Sequence, residues 1–233
     1  LHPENNSPNN HSRIVYHQYG YIHNVKYSEN LIENAVDSLC ITGSNLLPLG
    51  GRYEIWSLPK ILGTGAGSVI WCKNIKDAIA IRKYRDSTNK NGHIQWLLRV
   101  LGKLWVGFYY YWEGSELYHS GKLPKIATGD ILNKIESFEM IIEDRMKKFN
   151  VLKHLVPDEL ILSNDRLPCL IPLTGLDFEI KSKLVKLGFN LNERHMVVTK
   201  SNSRRVIKFF PLPIHQDVPL DIIIQVSKII KNR

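Results

Sequence analysis

The sequence predicts an α/β fold: a mostly parallel sheet with flanking helices, ending in a β-hairpin and a helix. Three observations predict it. From Lys60 onward, strand-like runs alternate with helix-like ones, an order that favours parallel strands joined by helices. The stretch Asp130–Phe149 places Ile131, Leu132, Ile135, Phe138, Ile141, Ile142 and Met146 at helical spacing. A chain of 233 residues is also long enough to bury a real core.

Residues 1–50 read as a lead-in and residues 51–233 as the α/β domain, whose basic end is a helix–hairpin–helix portion. The opening "LHPENNSPNNHSR" is polar and irregular, without the apolar centre of a secretory signal. "RIVYHQYGYIHNVKY" (Arg13–Tyr27) alternates around Gly20 and predicts a hairpin. Ser28 then caps a helix carrying Leu31, Ile32, Ala35, Val36 and Leu39, with Gly43 as its stop. A short strand reaches Leu62, a glycine turn follows, and Ser68–Cys72 and Ala78–Tyr84 read as strands. The apolar stretch His93–Trp112 holds Arg99 and Lys103 in its middle, so it predicts a buried helix and not a membrane span.

Thr128 caps the long helix Asp130–Phe149, and "ELILSND" (Glu159–Asp165) is a short apolar run. Thr174 caps a helix over Asp177–Leu187, stopped by Gly188. "RHMVVTK" and "RRVIKFF" are strands joined by "SNS", and Asp221–Lys231 closes the chain as a helix behind Pro219.

Charge narrows the partners. Lys and Arg number 31 against 22 Asp and Glu, a formal charge of +9, which favours a polyanion. Cys40, Cys72 and Cys169 form no CxxC pair and no metal spacing with the histidines. They are expected reduced and mostly buried, in an intracellular, reducing compartment, and no metal is expected. No G-x-S-x-G and no local Cys–His signature offers a nucleophile. Tyr109, Tyr110, Tyr111 and Trp112 could stack on bases, but neighbours on a helix diverge, so most of them are expected in the core.

The turn "GTGAG" is where a ligand would sit. Glycines let a backbone turn sharply and approach a ligand, although a hairpin or bulge needing positive φ has the same composition. The run Lys60–Arg85 looks like a protein-kinase N-lobe, with Val69 over the nucleotide and Lys83 as its lysine. Its glycine spacing is one residue short, and no H-R-D or D-F-G follows, so phosphoryl transfer is excluded.

The same turn also resembles motif I of Rossmann-like S-adenosylmethionine-dependent methyltransferases, of the cap-methylating type found in negative-strand RNA virus polymerases. That resemblance implies a Rossmann-like core in which Gly63, Gly65, Gly67 and Asp86 bind S-adenosylmethionine. It further implies Asp165 and Lys208 as the catalytic carboxylate and lysine. The family's acidic residue two before the first glycine is Ile61 here.

The last third adds a basic face. Lys181, Lys183 and Lys186 on a helix, with Lys200, Arg204 and Arg205 on the hairpin, have the layout of a winged helix facing phosphates. A solvated helix face with a charged edge hairpin has the same layout. Two functions are therefore expected: an RNA methyltransferase-like protein binding S-adenosylmethionine, or a non-catalytic RNA-binding component of a ribosomal or viral ribonucleoprotein or polymerase assembly.

Overall fold

The computed structural model describes residues 12–22, 30–87, 92–102, 104–105, 107–108, 110–111, 122–156, 165–190, 192–200 and 203–231. Its principal sheet has four strands: β1 (Arg13–Tyr16), β2 (Leu31–Asn34), β4 (Tyr53–Ser57) and β5 (Ser68–Cys72), in that spatial order. The first three run parallel and β5 returns antiparallel to β4, with Ile55 opposite Ile70. The sheet is mostly parallel, as expected, but its parallel strands come before Lys60 and not after it.

The helix expected after Ser28 is two strands instead, β2 and β3 (Ser38–Cys40), while Ser28 itself lies outside the described residues. Leu31 and Glu33 are buried while Ile32 and Asn34 are less so, a period of two. Glu33 misleads a sequence reading because a carboxylate looks like a helix's wet face. Here it is 0 % exposed and accepts hydrogen bonds from His17 and from the Leu49 and Gly51 amides. The strand expected over Ala78–Tyr84 is part of helix α2 (Ile75–Ser87). Asn74 accepts from the Asp77 amide and donates to the Asp77 carboxylate, a cap legible as N-x-x-D.

Between β4 and β5 runs the short helix α1 (Leu58–Leu62), started by Pro59 near its first position. Helix α3 (Gly92–Gly102) leaves Ile94 and Leu97 about half exposed, so it is not the buried helix expected. Tyr110 and Tyr111 are exposed as well, while Tyr109 and Trp112 lie outside the described residues. The long helix is broken at Ser137 into α4 (Lys125–Glu136) and α5 (Phe138–Leu152). Thr128 lies inside α4, its hydroxyl donating to the Pro124 carbonyl.

Strand β6 (Arg166–Pro168) pairs antiparallel with β3, and β7 (Leu170–Leu173) joins β9 (Ser203–Pro213) and β8 (Arg194–Lys200) in an antiparallel sheet. Helix α6 (Phe178–Lys186) is capped by Asp177, which accepts from the Ile180 amide, and not by Thr174. The hairpin β8–β9 and the final helix α7 (Leu220–Lys231) form where expected. Among the described residues no helix is long and apolar enough to cross a membrane.

Two apolar cores result. One joins β3, β4, α1, α4 and α5 through Leu39, Trp56, Ile61, Ile131 and Ile142. The other joins the end of α5 to β7, β9, α6 and α7 through Leu152, Ile171, Leu184, Leu212 and Val226. Phe149 packs against both, so α5 is the beam between them.

Candidate functional site

A cleft of about 390 Å³ lies along this junction. Its walls come from the β2–β3 turn (Asp37), α1 and the turn after it (Pro59, Lys60, Gly63, Thr64, Gly65) and the end of α3 (Gly102). The β6–β7 junction (Cys169, Leu170) and the turn after β9 (His215, Asp217) complete it. Its volume falls in the range of small-molecule sites.

Among the described residues Lys60 is the one lysine on that lining. Its Nζ donates to Asp37 Oδ1 at 2.6 Å, with the side chains 49 % and 14 % exposed. The carboxylate comes from the turn between β2 and β3, and the amine from a helix one sheet position away. Burial pushes the Cys169 thiol up, against the opposing pull of Arg145 and Lys60. Burial likewise pushes the His215 imidazole below 6.5, with Asp217 resisting and Arg145 and Lys148 reinforcing the shift. His215 Nδ1 is buried without a hydrogen-bond partner and stands 3.6 Å from Asp217 Oδ2.

The glycine turn forms part of the cleft wall. Gly63 closes α1 at φ +69°, its amide donating to the Pro59 carbonyl. The Gly65 amide points at Asp130 Oδ2 (3.4 Å), and the Thr64 hydroxyl donates to the Ala66 carbonyl. Gly67 has φ +114°, a backbone conformation that favours glycine whatever space a Cβ would find.

The residues expected to share a site are not brought together. Gly63 and Gly65 line the cleft, but Asp86 is in the last turn of α2, exposed and paired with Arg85. Asp165 precedes β6, its carbonyl accepting from the Ile41 amide. Lys208 is on β9 opposite His195, 69 % exposed and 3.3 Å from Glu193. Lys183 pairs with Glu179 at 2.6 Å, Lys181 Nζ stands 4.3 Å over the Phe210 ring, and Lys186 is exposed. Arg205 is exposed on β9, while the side chains of Lys200 and Arg204 lie outside the described residues. Of "ELILSND" only Asp165 is described.

What the sequence reading missed is the pair Lys60 and Asp37. Ser57-Leu-Pro-Lys60 carries a helix start, with serine at the cap position and proline inside the first turn. Nothing local ties it to Asp37, 23 residues earlier.

Over residues 4–233 the chain matches a protein-family model described as "Putative PLP-dependent aminotransferase". No curated protein matches it. Among solved structures, 8-amino-7-oxononanoate synthase from Francisella tularensis is 17% identical with TM-score 0.44, over 88% of this chain and 54% of that one. A low-resolution structure of SPT is 12% identical with TM-score 0.43, over 88% and 51%. The chain thus spans about half the length of these proteins. The family match overturns the resemblance to S-adenosylmethionine-dependent RNA methyltransferases: the cofactor it indicates is pyridoxal phosphate. The expectations of an RNA, ribonucleoprotein or polymerase partner, and of a non-catalytic RNA-binding role, fall with it.

Proposed function

Because the chain belongs to this PLP-dependent aminotransferase family, we propose that it takes part in amino-group transfer with pyridoxal phosphate, at the cleft around Lys60. Such chemistry needs a lysine to link the cofactor and an acidic or basic partner for its ring nitrogen. The cleft fits that need. One observation carries the reading: Lys60 and Asp37 line the same cleft, joined by a 2.6 Å ion pair that would have to open for the ring to lie between amine and carboxylate.

When bound, pyridoxal phosphate supplies an aldehyde carbon and a ring that draws electrons from the bonds of a substrate's Cα. Asp37, largely screened from solvent, is suited to hold a proton on the ring nitrogen. Lys60 is placed to carry the cofactor and, when released, to move a proton at the substrate Cα. Cys169, kept protonated by burial, does not compete with the amine for the aldehyde. We also infer a reducing compartment, a reading supported by three unpaired cysteines, two of them buried.

The test is chemical trapping. The chain is mixed with pyridoxal phosphate, reduced with borohydride, digested and mapped by mass spectrometry. A label on the peptide holding Lys60, lost in Lys60→Ala, is expected. A label scattered over exposed lysines, unchanged in Lys60→Ala, overturns the proposal.

A further inference from the structure

We infer that Arg145 is a positioning residue for Lys60, an inference that rests on the reading of the cleft above. Arg145 projects from α5, 0 % exposed. Its Nη2 donates to the Lys60 carbonyl (3.3 Å), the Ile61 carbonyl (3.0 Å) and Gln216 Oε1 (2.8 Å), and its Nη1 to Cys169 Sγ (3.1 Å). One guanidinium therefore holds three separate stretches of the cleft wall: the end of α1, the β6–β7 junction and the turn after β9.

The need for such a brace is physical. A helix of five residues is too short to fix its own geometry, and its last carbonyls have no partner within it. Arg145 takes two of those carbonyls, at the residue that bears the amine and at the next. Lys148, three residues on and on the same face of α5, donates to the His215 carbonyl at 3.1 Å and pairs with Asp144. The same helix face thus supports both sides of the cleft.

The arrangement is also costly for stability alone. Among the described residues Arg145 has no carboxylate partner, and its Nε is buried without an acceptor. A buried charge satisfied only by neutral acceptors is a poor way to hold a fold together. It is a good way to fix carbonyls whose residue must present an amine in one direction.

The experiment measures how fast Lys60 captures the cofactor. The chain and its Arg145→Met, Arg145→Lys and Gln216→Ala variants are mixed with pyridoxal phosphate. Capture is followed by absorbance, and orientation by visible circular dichroism of the bound cofactor. Misplacing a reacting group by about 1 Å costs up to roughly 100-fold. Arg145→Met should therefore capture about 10- to 100-fold more slowly and lose visible dichroism, with far-ultraviolet dichroism unchanged. Arg145→Lys should recover part of the rate and Gln216→Ala should lose a few-fold. A folded Arg145→Met with the parent rate and dichroism overturns the inference. If Arg145→Met does not fold, Gln216→Ala decides: slower capture supports the inference, and the parent rate overturns it. Absence of label at Lys60 in the parent chain is a different result, which removes the cleft reading itself.

Discussion

Among the described residues two arginines are buried, Arg145 and Arg166, and they are treated differently. Arg166 lies between the β3–β6 ribbon and the sheet, bonded to Glu54 at 2.5 and 3.3 Å and to the Asn45 carbonyl at 2.9 Å. Glu54 also accepts from the Leu47 amide and the Trp56 indole. Beside it Glu33 accepts from His17, Leu49 and Gly51. This group matches acid to base and ties the loop of residues 45–51 beneath the sheet. Arg145 has carbonyls, an amide oxygen and a thiol, but among the described residues no anion. The difference teaches how burial can be used. A matched charge fixes backbone to backbone, while an unmatched one leaves a positive field in the wall of a cleft, felt by Cys169 and His215.

The largest effect expected is at Arg166. Removing one partner of a buried ion pair leaves the other charged and desolvated, at a cost of about 3–5 kcal/mol. Arg166→Met should lower the unfolding free energy by that amount in urea, while the double variant Arg166→Met with Glu54→Leu should lose less. A loss below about 1 kcal/mol in Arg166→Met would break the comparison, because Glu54 would then not depend on its partner.

Glu33 comes next. Burial raises its carboxyl, but the hydrogen bonds from His17, Gly51 and Leu49 outweigh this and hold it below 4.5. A carboxyl lowered in the folded state stabilises above its unfolded value and loses that contribution as pH falls through the folded one. Glu33→Gln should cost about 1–3 kcal/mol at neutral pH. Melting curves between pH 5 and about 3 should also be flatter than those of the parent. Parallel curves would show that the acid limb belongs to other groups.

Local signals carried the last hairpin and the last helix. Helix α7 behind Pro219 and strand β9 follow from spacing alone, because each buries apolar residues in a single core. The first half was misread where polar residues are inside. Buried Glu33 and Glu54 imitate a solvated face, and only their partners far along the chain make those positions tolerable. The site was hidden for the same reason. Lys60 and Asp37 are ordinary charged residues in sequence, and their meaning comes from tertiary placement in one cleft. In the glycine turn, Gly63 closes a helix and Gly63 and Gly67 take left-handed backbone conformations.

His215 offers a subtler test of the two arginines. Its imidazole is lowered by burial first, then by Arg145 and Lys148, against Asp217. A base lowered in the folded state is stabilising above 6.5 and loses that contribution as pH falls through this value. His215→Asn should flatten melting temperature between pH 7 and about 5.5. Removing the Arg145 charge should also move the His215 titration upward in an NMR series. An unmoved titration in folded Arg145→Met would mean that the unmatched charge does not reach the cleft.

The smallest effects belong to the basic face of α6, and they sharpen the contrast between buried and solvated cations. Lys183 and Glu179 form an i,i+4 pair whose side chains are 52 % and 76 % exposed, a geometry worth about 0.2–0.5 kcal/mol. Lys181 sits one turn face away, its ammonium over the buried Phe210 ring at 4.3 Å. An ammonium on a ring face contributes roughly 0.5–1 kcal/mol at exposed sites, and its methylene stem covers apolar surface besides. Lys181→Ala should therefore destabilise the chain more than Lys183→Ala, with both below about 1.5 kcal/mol. Added salt should erase the Lys183 effect while leaving most of the Lys181 effect, since contact with a ring is screened less than a solvated ion pair. Urea denaturation of both variants at low and high salt reads this directly. The reverse order would place the stabilising role of this face in its ion pair, and the solvated cations would then matter more to the fold than their exposure allows.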